Sequence, residues 1–189
     1  MNLEHESLSS HSDQEAAELL VDFLWLFRGK PLPGPVLDLA CGDCRNGIEA
    51  ARLGHAVHCC DVSREALSRA ESLARTYGVS IEIHQVDLEQ GDPPIPAEET
   101  YGAVLVFRYL YRPLFPCIRK ALKPGGVLIY ETFTVDQARF GKPRNPDFLL
   151  KPGELRDAFR DWEVLHYFEG IKSNPDRAVA QLVCRKPDA

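Results

Sequence analysis

Three aspartates close three short apolar runs: Asp38 within Val36-Leu37-Asp38-Leu39, Asp61 after residues 56–60, and Asp87 after residues 81–86. Acids at the carboxyl ends of buried strands accept hydrogen bonds from a ligand's hydroxyl and amino groups. A fourth, Asp43, lies in the loop Ala40-Cys41-Gly42-Asp43-Cys44-Arg45-Asn46-Gly47. Two cofactor classes compete for such a loop. A dinucleotide needs G-x-G-x-x-G, so that its pyrophosphate can approach the backbone and a helix N-terminus. Here only Gly42 and Gly47 are glycines. Asp38 and Asp43 would repel a pyrophosphate and tolerate an ammonium and a sulfonium, which favours S-adenosylmethionine over NAD.

Asp61 would accept from ribose hydroxyls, a role common to both cofactors. Asp87 would accept from the adenine amino group, with Val62 and Leu88 sandwiching the ring. The candidate cofactor set is therefore Asp38, Ala40, Cys41, Gly42, Asp43, Cys44, Arg45, Asn46, Asp61, Val62, Asp87, Leu88 and Phe107.

These residues need strands to carry them, and the periodicity supplies strands and helices in alternation. Ala16, Leu19, Leu20, Phe23, Leu24 and Phe27 recur at helix-face spacing, with Ser12 or Asp13 as the cap. Strands are expected over residues 36–40, 56–61, 81–86, 103–107 and 127–133. Helices are expected over 46–53, 64–77 (opened by Ser63, stopped by Gly78), 114–122 and 155–159. Residues 124–126 read as a turn and 89–100 as an acidic, proline-rich surface loop. Strands over 162–168 and 178–185 have a short connection and should form an antiparallel hairpin. The expected fold class is α/β: a three-layer Rossmann-like doubly wound sheet, mostly parallel, with an antiparallel edge hairpin. Residues 1–12 are expected to be a flexible tail and 13–189 a single domain.

The ordered motifs resemble those of class I S-adenosylmethionine-dependent methyltransferases. Val36-Leu37-Asp38-Leu39-Ala40-Cys41-Gly42 is similar to the first motif, Asp61 and Asp87-Leu88 to the second and third. Leu122-Lys123-Pro124-Gly125-Gly126-Val127-Leu128 is similar to the turn and strand after the fourth helix. The segment Gly42-Asp43-Cys44-Arg45-Asn46 is also similar to the tellurite-resistance branch. Ala40 and Cys44 stand where that family usually has glycine. The resemblance implies methyl transfer from S-adenosylmethionine. The alternatives are a cofactor-binding protein without transfer activity and an NAD-dependent oxidoreductase.

Methyl transfer needs alignment and exclusion of water more than it needs a catalytic triad. A general base serves only where the nucleophile must lose a proton. Glu131 is the candidate base or orienting acid, with Tyr109 and Arg108 beside it. Tyr111, Arg112, Arg139 and Arg144 are candidates for holding the acceptor. The arginines point to an anionic group, on the substrate or as the cofactor's own carboxylate. Gly141, Pro143 and Pro146 suggest a lid over residues 139–148. Arg112 could instead pair with a surface acid, and one of Tyr109 and Tyr111 with the core. The chain has little beyond the core sheet, which favours a small-molecule acceptor.

A formal net charge of −6 argues against a nucleic-acid partner. The N-terminus is polar and acidic, unlike a secretory signal, and residues 19–27 are too short to span a bilayer. A cytoplasmic protein is expected, without membrane association. There are six cysteines, and a disulfide framework is not expected in that compartment. Cys59 and Cys60 read as two buried thiols. Cys41 and Cys44 have C-x-x-C spacing, but no further ligands at zinc-site spacing follow, so no metal is expected. A redox role would fit a helix-opening pair, yet would not explain Asp61 and Asp87. His166 reads as structural, and His55 and His58 have no acid or ligand spacing around them in the sequence.

Overall fold

The structure is a computed structural model and describes residues 15–29, 31–90 and 98–188. The expected flexible tail and the Ser12 or Asp13 cap lie outside those residues. Among the described residues seven strands form one sheet: β1 (Val36–Leu39), β2 (Val57–Asp61), β3 (Glu82–Gln85), β4 (Tyr101–Phe107), β5 (Leu122–Phe133), β6 (Glu163–Lys172) and β7 (Arg177–Arg185). Their order is β3-β2-β1-β4-β5-β7-β6. Strands β1 to β5 pair in parallel, and β7 runs antiparallel between β5 and β6. The order reverses between β1 and β4, where a doubly wound sheet opens a crevice at its carboxyl edge.

Among the described residues five α-helices cover the two faces: α1 (Glu18–Phe23), α2 (Arg45–Arg52), α3 (Arg64–Tyr77), α4 (Leu114–Ala121) and α5 (Glu154–Ala158). Alternation along each strand divides the core. Leu37, Leu39, Val104 and Val106 pack with Leu114, Ile118 and Phe159 under α4 and α5. Val36, Ala103, Leu105 and Cys59 pack with Leu19, Ala50, Leu67 and Ala70 under α1, α2 and α3. Asp38 shares the face of Val36, so its carboxyl meets the start of α2.

Most expected elements match within a residue or two. Ser63 caps α3 by accepting from the Ala66 N–H at 3.2 Å, and Gly78 ends it in the left-handed conformation. The first helix is shorter than expected. It stops at Phe23 and continues as a 3₁₀ turn over Leu24–Phe27. The Pro124-Gly125-Gly126 turn is absorbed into β5 as an irregularity, where pairing shifts from Tyr101↔Leu122 to Ala103↔Val127. Backbone pairing continues across it because Gly125 adopts a φ of 73°.

Candidate functional site

At the carboxyl edge the chain builds two cavities that meet. One of about 270 Å³ lies beyond β2 and β3 and is lined by Asp61, Val62, Asp87 and Leu88, with Val86 and Glu89. The other, of about 620 Å³, lies above β1, β4 and β5. Ala40, Phe107 and Arg108 line both. The larger cavity takes in Asp38, Cys41, Gly42, Arg45, Asn46 and Glu131 from the expected set.

The loop between β1 and α2 is held by carboxylates on either side. Asp61 Oδ2 accepts from the Gly42 N–H at 2.8 Å, and its Oδ1 accepts from the Ser63 N–H at 2.8 Å. One carboxylate thus fixes both the first loop and the turn into α3. Asp38 is 1% exposed, and its Oδ2 accepts from the Gly47 N–H at 2.8 Å. A Cβ on Gly47 would lie 2.6 Å from Cys44 Sγ and 2.9 Å from Val57, so only glycine admits this approach. Burial raises the Asp38 carboxyl to about 8; the Asp43 and Asp61 charges add to this, and the Gly47 hydrogen bond and Arg45 oppose it.

Ala40 and Cys44, the two departures from glycine, adopt φ of 52° and 57°. An L-residue pays about 1–2 kcal/mol there, so both sites keep the glycine geometry without the glycine. Cys44 is tied down: it forms a disulfide with Cys59 of β2. This corrects the expectation of two buried thiols at Cys59 and Cys60. They do point to opposite faces, but Cys59 faces the start of α2, where Cys44 sits. The C-x-x-C pair is likewise not the bonded one. Cys41 keeps a free thiol lining the cavity, with its pKa pushed up by burial and by the Asp38 and Asp61 charges. The disulfide spans a sequence separation of 15. Cys59→Ala should lower the unfolding free energy by about 2–4 kcal/mol in denaturant melts without reductant. Equal midpoints for variant and oxidised wild type would show that the bond contributes nothing.

Asp43 and Cys44 are not among the lining residues. Asp43 pairs instead with Arg45 Nε at 3.1 Å. Of the two acids invoked for the sulfonium reading, Asp38 is the one at the cavity. Asn46 lines it, yet its Oδ1 accepts from the Ala17 N–H at 2.8 Å, fastening the N-terminal segment to the loop. Beside Asp61, Val62 is 60% exposed over the smaller cavity, with Leu88 buried across from it. Asp87 Oδ1 accepts from the Glu89 N–H at 2.9 Å.

On the acceptor side the structure separates residues that the sequence grouped. Glu131 lines the larger cavity, buried, and accepts from Gln181 Nε2. His166 Nε2 lies 3.1 Å from Gln181 Oε1, so His166 supports this pair from behind. Arg108, at a φ of 56°, donates its N–H to the Glu131 carbonyl at 2.8 Å. Tyr109 lies instead at the smaller cavity, where its hydroxyl donates to Glu89 Oε1 at 3.2 Å. Burial and Glu89 push the Tyr109 pKa up. Tyr111 donates to the Glu89 carbonyl at 3.4 Å and packs on the core.

Arg112 takes the alternative that its sequence left open, pairing with an acid. Its Nε and Nη2 meet Glu154 at 2.5 and 2.9 Å, and it donates to the carbonyls of Asp147 and Leu149 at 2.8 and 2.9 Å. These donors clamp residues 147–149 to α5, and Arg112 does not line either cavity. Arg139 and Arg144 are exposed and line neither cavity; Arg139 lies 3.9 Å from Asp136 and over the Phe140 ring. The expected lid loop therefore sits to one side. The walls are instead Glu15, Glu18 and Val21 of the N-terminal segment, and Asn174, Pro175 and Arg177 of the β6–β7 hairpin. Lys172 Nζ joins the two walls by pairing with Glu18 at 2.7 Å. The acidic polar face of the first helix was the available signal for this wall. The hairpin had none, because only long-range packing brings it over the cavity.

Residues 36–126 match the family model described as a methyltransferase domain. Over those residues the chain is similar to a methyltransferase domain. It is 27% identical over 147 residues to the probable S-adenosyl-L-methionine-dependent methyltransferase TehB of Haemophilus influenzae, covering 74% of this chain and 49% of that one. It thus spans about half the length of the curated relatives it matches. The crystal structure of TehB from Haemophilus influenzae superposes with a TM-score of 0.70 at 20% identity, over 96% of this chain and 64% of that one. A SAM-dependent methyltransferase from Aquifex aeolicus gives 0.63 at 17% identity, over 94% of each chain. These structures share the methyltransferase fold. S-adenosylmethionine is the cofactor this family implies, and the NAD reading is set aside.

The residues present fit that cofactor. The smaller cavity offers apolar faces at Val62 and Leu88 with acids at Asp61 and Asp87, as a nucleoside requires. The larger cavity begins at Asp38, a buried carboxyl suited to an ammonium or sulfonium. Among the described residues no helix is long and apolar enough to cross a membrane.

Proposed function

We propose that this chain transfers a methyl group from S-adenosylmethionine to a small acceptor. The carrying observation is the joined pair of cavities, one with nucleoside chemistry and one with mixed charge, meeting at Ala40, Phe107 and Arg108. Their sizes suit a cofactor and a small molecule. We read residues 13–189 as one catalytic unit working in the cytoplasm.

When bound, the cofactor supplies a methyl group already activated on a sulfonium. The chain's residues supply position. In this reading Asp61 and Asp87 hold the nucleoside, while Val62 and Leu88 cover its faces. Asp38 receives the cationic end, and Phe107 separates the two compartments. Residues 15–21 and the β6–β7 hairpin exclude water from the larger cavity. Arg108 and Arg177 are the cations that would meet an anionic group on the acceptor; they replace Arg112, Arg139 and Arg144 in that role. Glu131, fixed by Gln181, orients the acceptor and takes its proton where it has one to lose.

Calorimetric titration with S-adenosylmethionine, S-adenosylhomocysteine and NAD, followed by methyl transfer to an acceptor panel, tests the reading. Both sulfur ligands should bind. Binding of NAD alone would overturn the proposal, and sulfur-ligand binding without transfer across a broad panel would favour a cofactor-binding protein. Once an acceptor is known, Glu131→Gln should cut turnover about tenfold, the size of one lost oriented hydrogen bond. Cofactor affinity should stay within twofold, and a matching loss there would place Glu131 at the cofactor instead.

A further inference from the structure

Strand β3 is the outer edge of the parallel half of the sheet. On it Glu82 and His84 alternate onto one face, and the sheet register sets His58 of β2 directly opposite Glu82. One carboxylate therefore stands between two imidazoles. His58 Nε2 lies 3.3 Å from Glu82 Oε2, and His84 Nε2 lies 3.0 Å from Glu82 Oε1. All three groups can place a ligand atom within 4.8 Å of the other two.

Distance alone would describe an ordinary charge cluster. Two further observations do not fit one. His84 Nε2 is inaccessible to solvent and makes no hydrogen bond, despite the carboxylate oxygen nearby. A polar atom with neither solvent nor a hydrogen bond is a costly arrangement. In addition, the far side of His58 is already oriented. His58 Nδ1 lies 3.2 Å from the hydroxyl of fully buried Tyr101, and the two rings meet edge to face. A hydrogen bond from Nδ1–H to Tyr101 leaves Nε2 as the ligating atom, which is how metal-binding imidazoles are held.

We propose that His58, Glu82 and His84 form a divalent-cation site, with zinc as the best match to two imidazoles and one carboxylate. Metal–ligand distances of about 2.0–2.1 Å place tetrahedral ligands about 3.3 Å apart, close to the two spacings seen. Solvent supplies the remaining position, since Glu82 is largely exposed. The ion would bridge β2 to the edge strand. His84 precedes Asp87 and Leu88 by a few residues, so pinning β3 would also steady the lining of the smaller cavity. The site corrects the reading of His58 as lacking an acid partner. Its acid lies on the neighbouring strand, 24 positions away in sequence.

The test is titration of the untagged full chain, disulfide intact, with zinc chloride by calorimetry and with cobalt chloride by visible absorption. One equivalent should bind, and zinc should raise the melting temperature. Glu82→Gln and His84→Ala should each weaken binding at least tenfold. Tyr101→Phe should weaken it about tenfold, as loss of an orienting partner does. Cys41→Ser should leave it unchanged, and the cobalt spectrum should lack thiolate charge-transfer bands. Wild-type affinity no better than that of His84→Ala would overturn the proposal, as would loss of binding in Cys41→Ser.

Discussion

Asp61→Ala should weaken S-adenosylhomocysteine binding about a hundredfold or more in calorimetric titration. The size follows from how much one carboxylate does. Its two oxygens accept from the Gly42 and Ser63 N–H groups, each at 2.8 Å. Charge-assisted hydrogen bonds of this kind contribute about 1.5–3 kcal/mol each. Alanine releases both the loop between β1 and α2 and the turn into α3, and it also deletes the acceptor proposed for the ribose. Asp61→Asn separates these contributions. An amide retains one oxygen but presents an NH₂ where the other N–H now donates, so one backbone contact survives and the other becomes donor against donor. Asparagine should therefore fall between wild type and alanine in affinity. Both variants should melt below wild type even without ligand, because the loop is loosened before anything binds. If Asp61→Ala bound the ligand within twofold of wild type, neither the anchor nor the ribose role would stand.

That result would bear on what was legible in the sequence. Asp38, Asp61 and Asp87 could be placed because each lies at or near the end of an apolar run, and run ends in a parallel sheet share one edge. The cofactor side needed no long-range information beyond the strand-helix alternation. The acceptor side did. Arg112 reads identically in sequence whether it faces a ligand or Glu154, and the bidentate clamp is visible only when α5 is placed beside it. Glu18 and Arg177 are distant in sequence and meet over the cavity, with Glu18 Oε2 3.9 Å from Arg177 Nη2, because β7 inserts between β5 and β6. The Cys44–Cys59 bond was hidden for a similar reason. Strand alternation correctly sent Cys59 and Cys60 to opposite faces, but not what Cys59 would meet. That depended on Cys44 accepting a left-handed backbone, a conformation seldom adopted by a non-glycine residue.

Cofactor affinity should rise steeply with pH below about 8, and Asp38→Asn should remove most of that slope. Burial raises the Asp38 carboxyl to about 8, with Asp43 and Asp61 adding to the shift and Arg45 opposing it. In the ligand-free protein at pH 7 this group is therefore mostly protonated. A cation seated in the cavity that Asp38 lines favours the carboxylate. Binding then expels a proton, and one released proton raises the apparent association constant up to tenfold per pH unit. Between pH 6 and pH 8 the gain should be roughly fiftyfold. The same shift sets the sign for stability. A carboxyl with a folded pKa above its unfolded value of 3.8 binds its proton more tightly when folded. Its contribution is thus greatest at low pH and declines as pH rises from about 4 through about 8. Asp38→Asn keeps an oxygen for the Gly47 N–H and removes the titration. The ligand-free variant should hold its stability relative to wild type better as pH increases, while binding the cofactor more weakly at pH 8. Calorimetry at pH 7 in two buffers of different ionisation enthalpy reads the proton directly: close to one released by wild type, and close to none by Asp38→Asn. Equal proton release from both proteins would mean that Asp38 is not the group that answers the cofactor's charge.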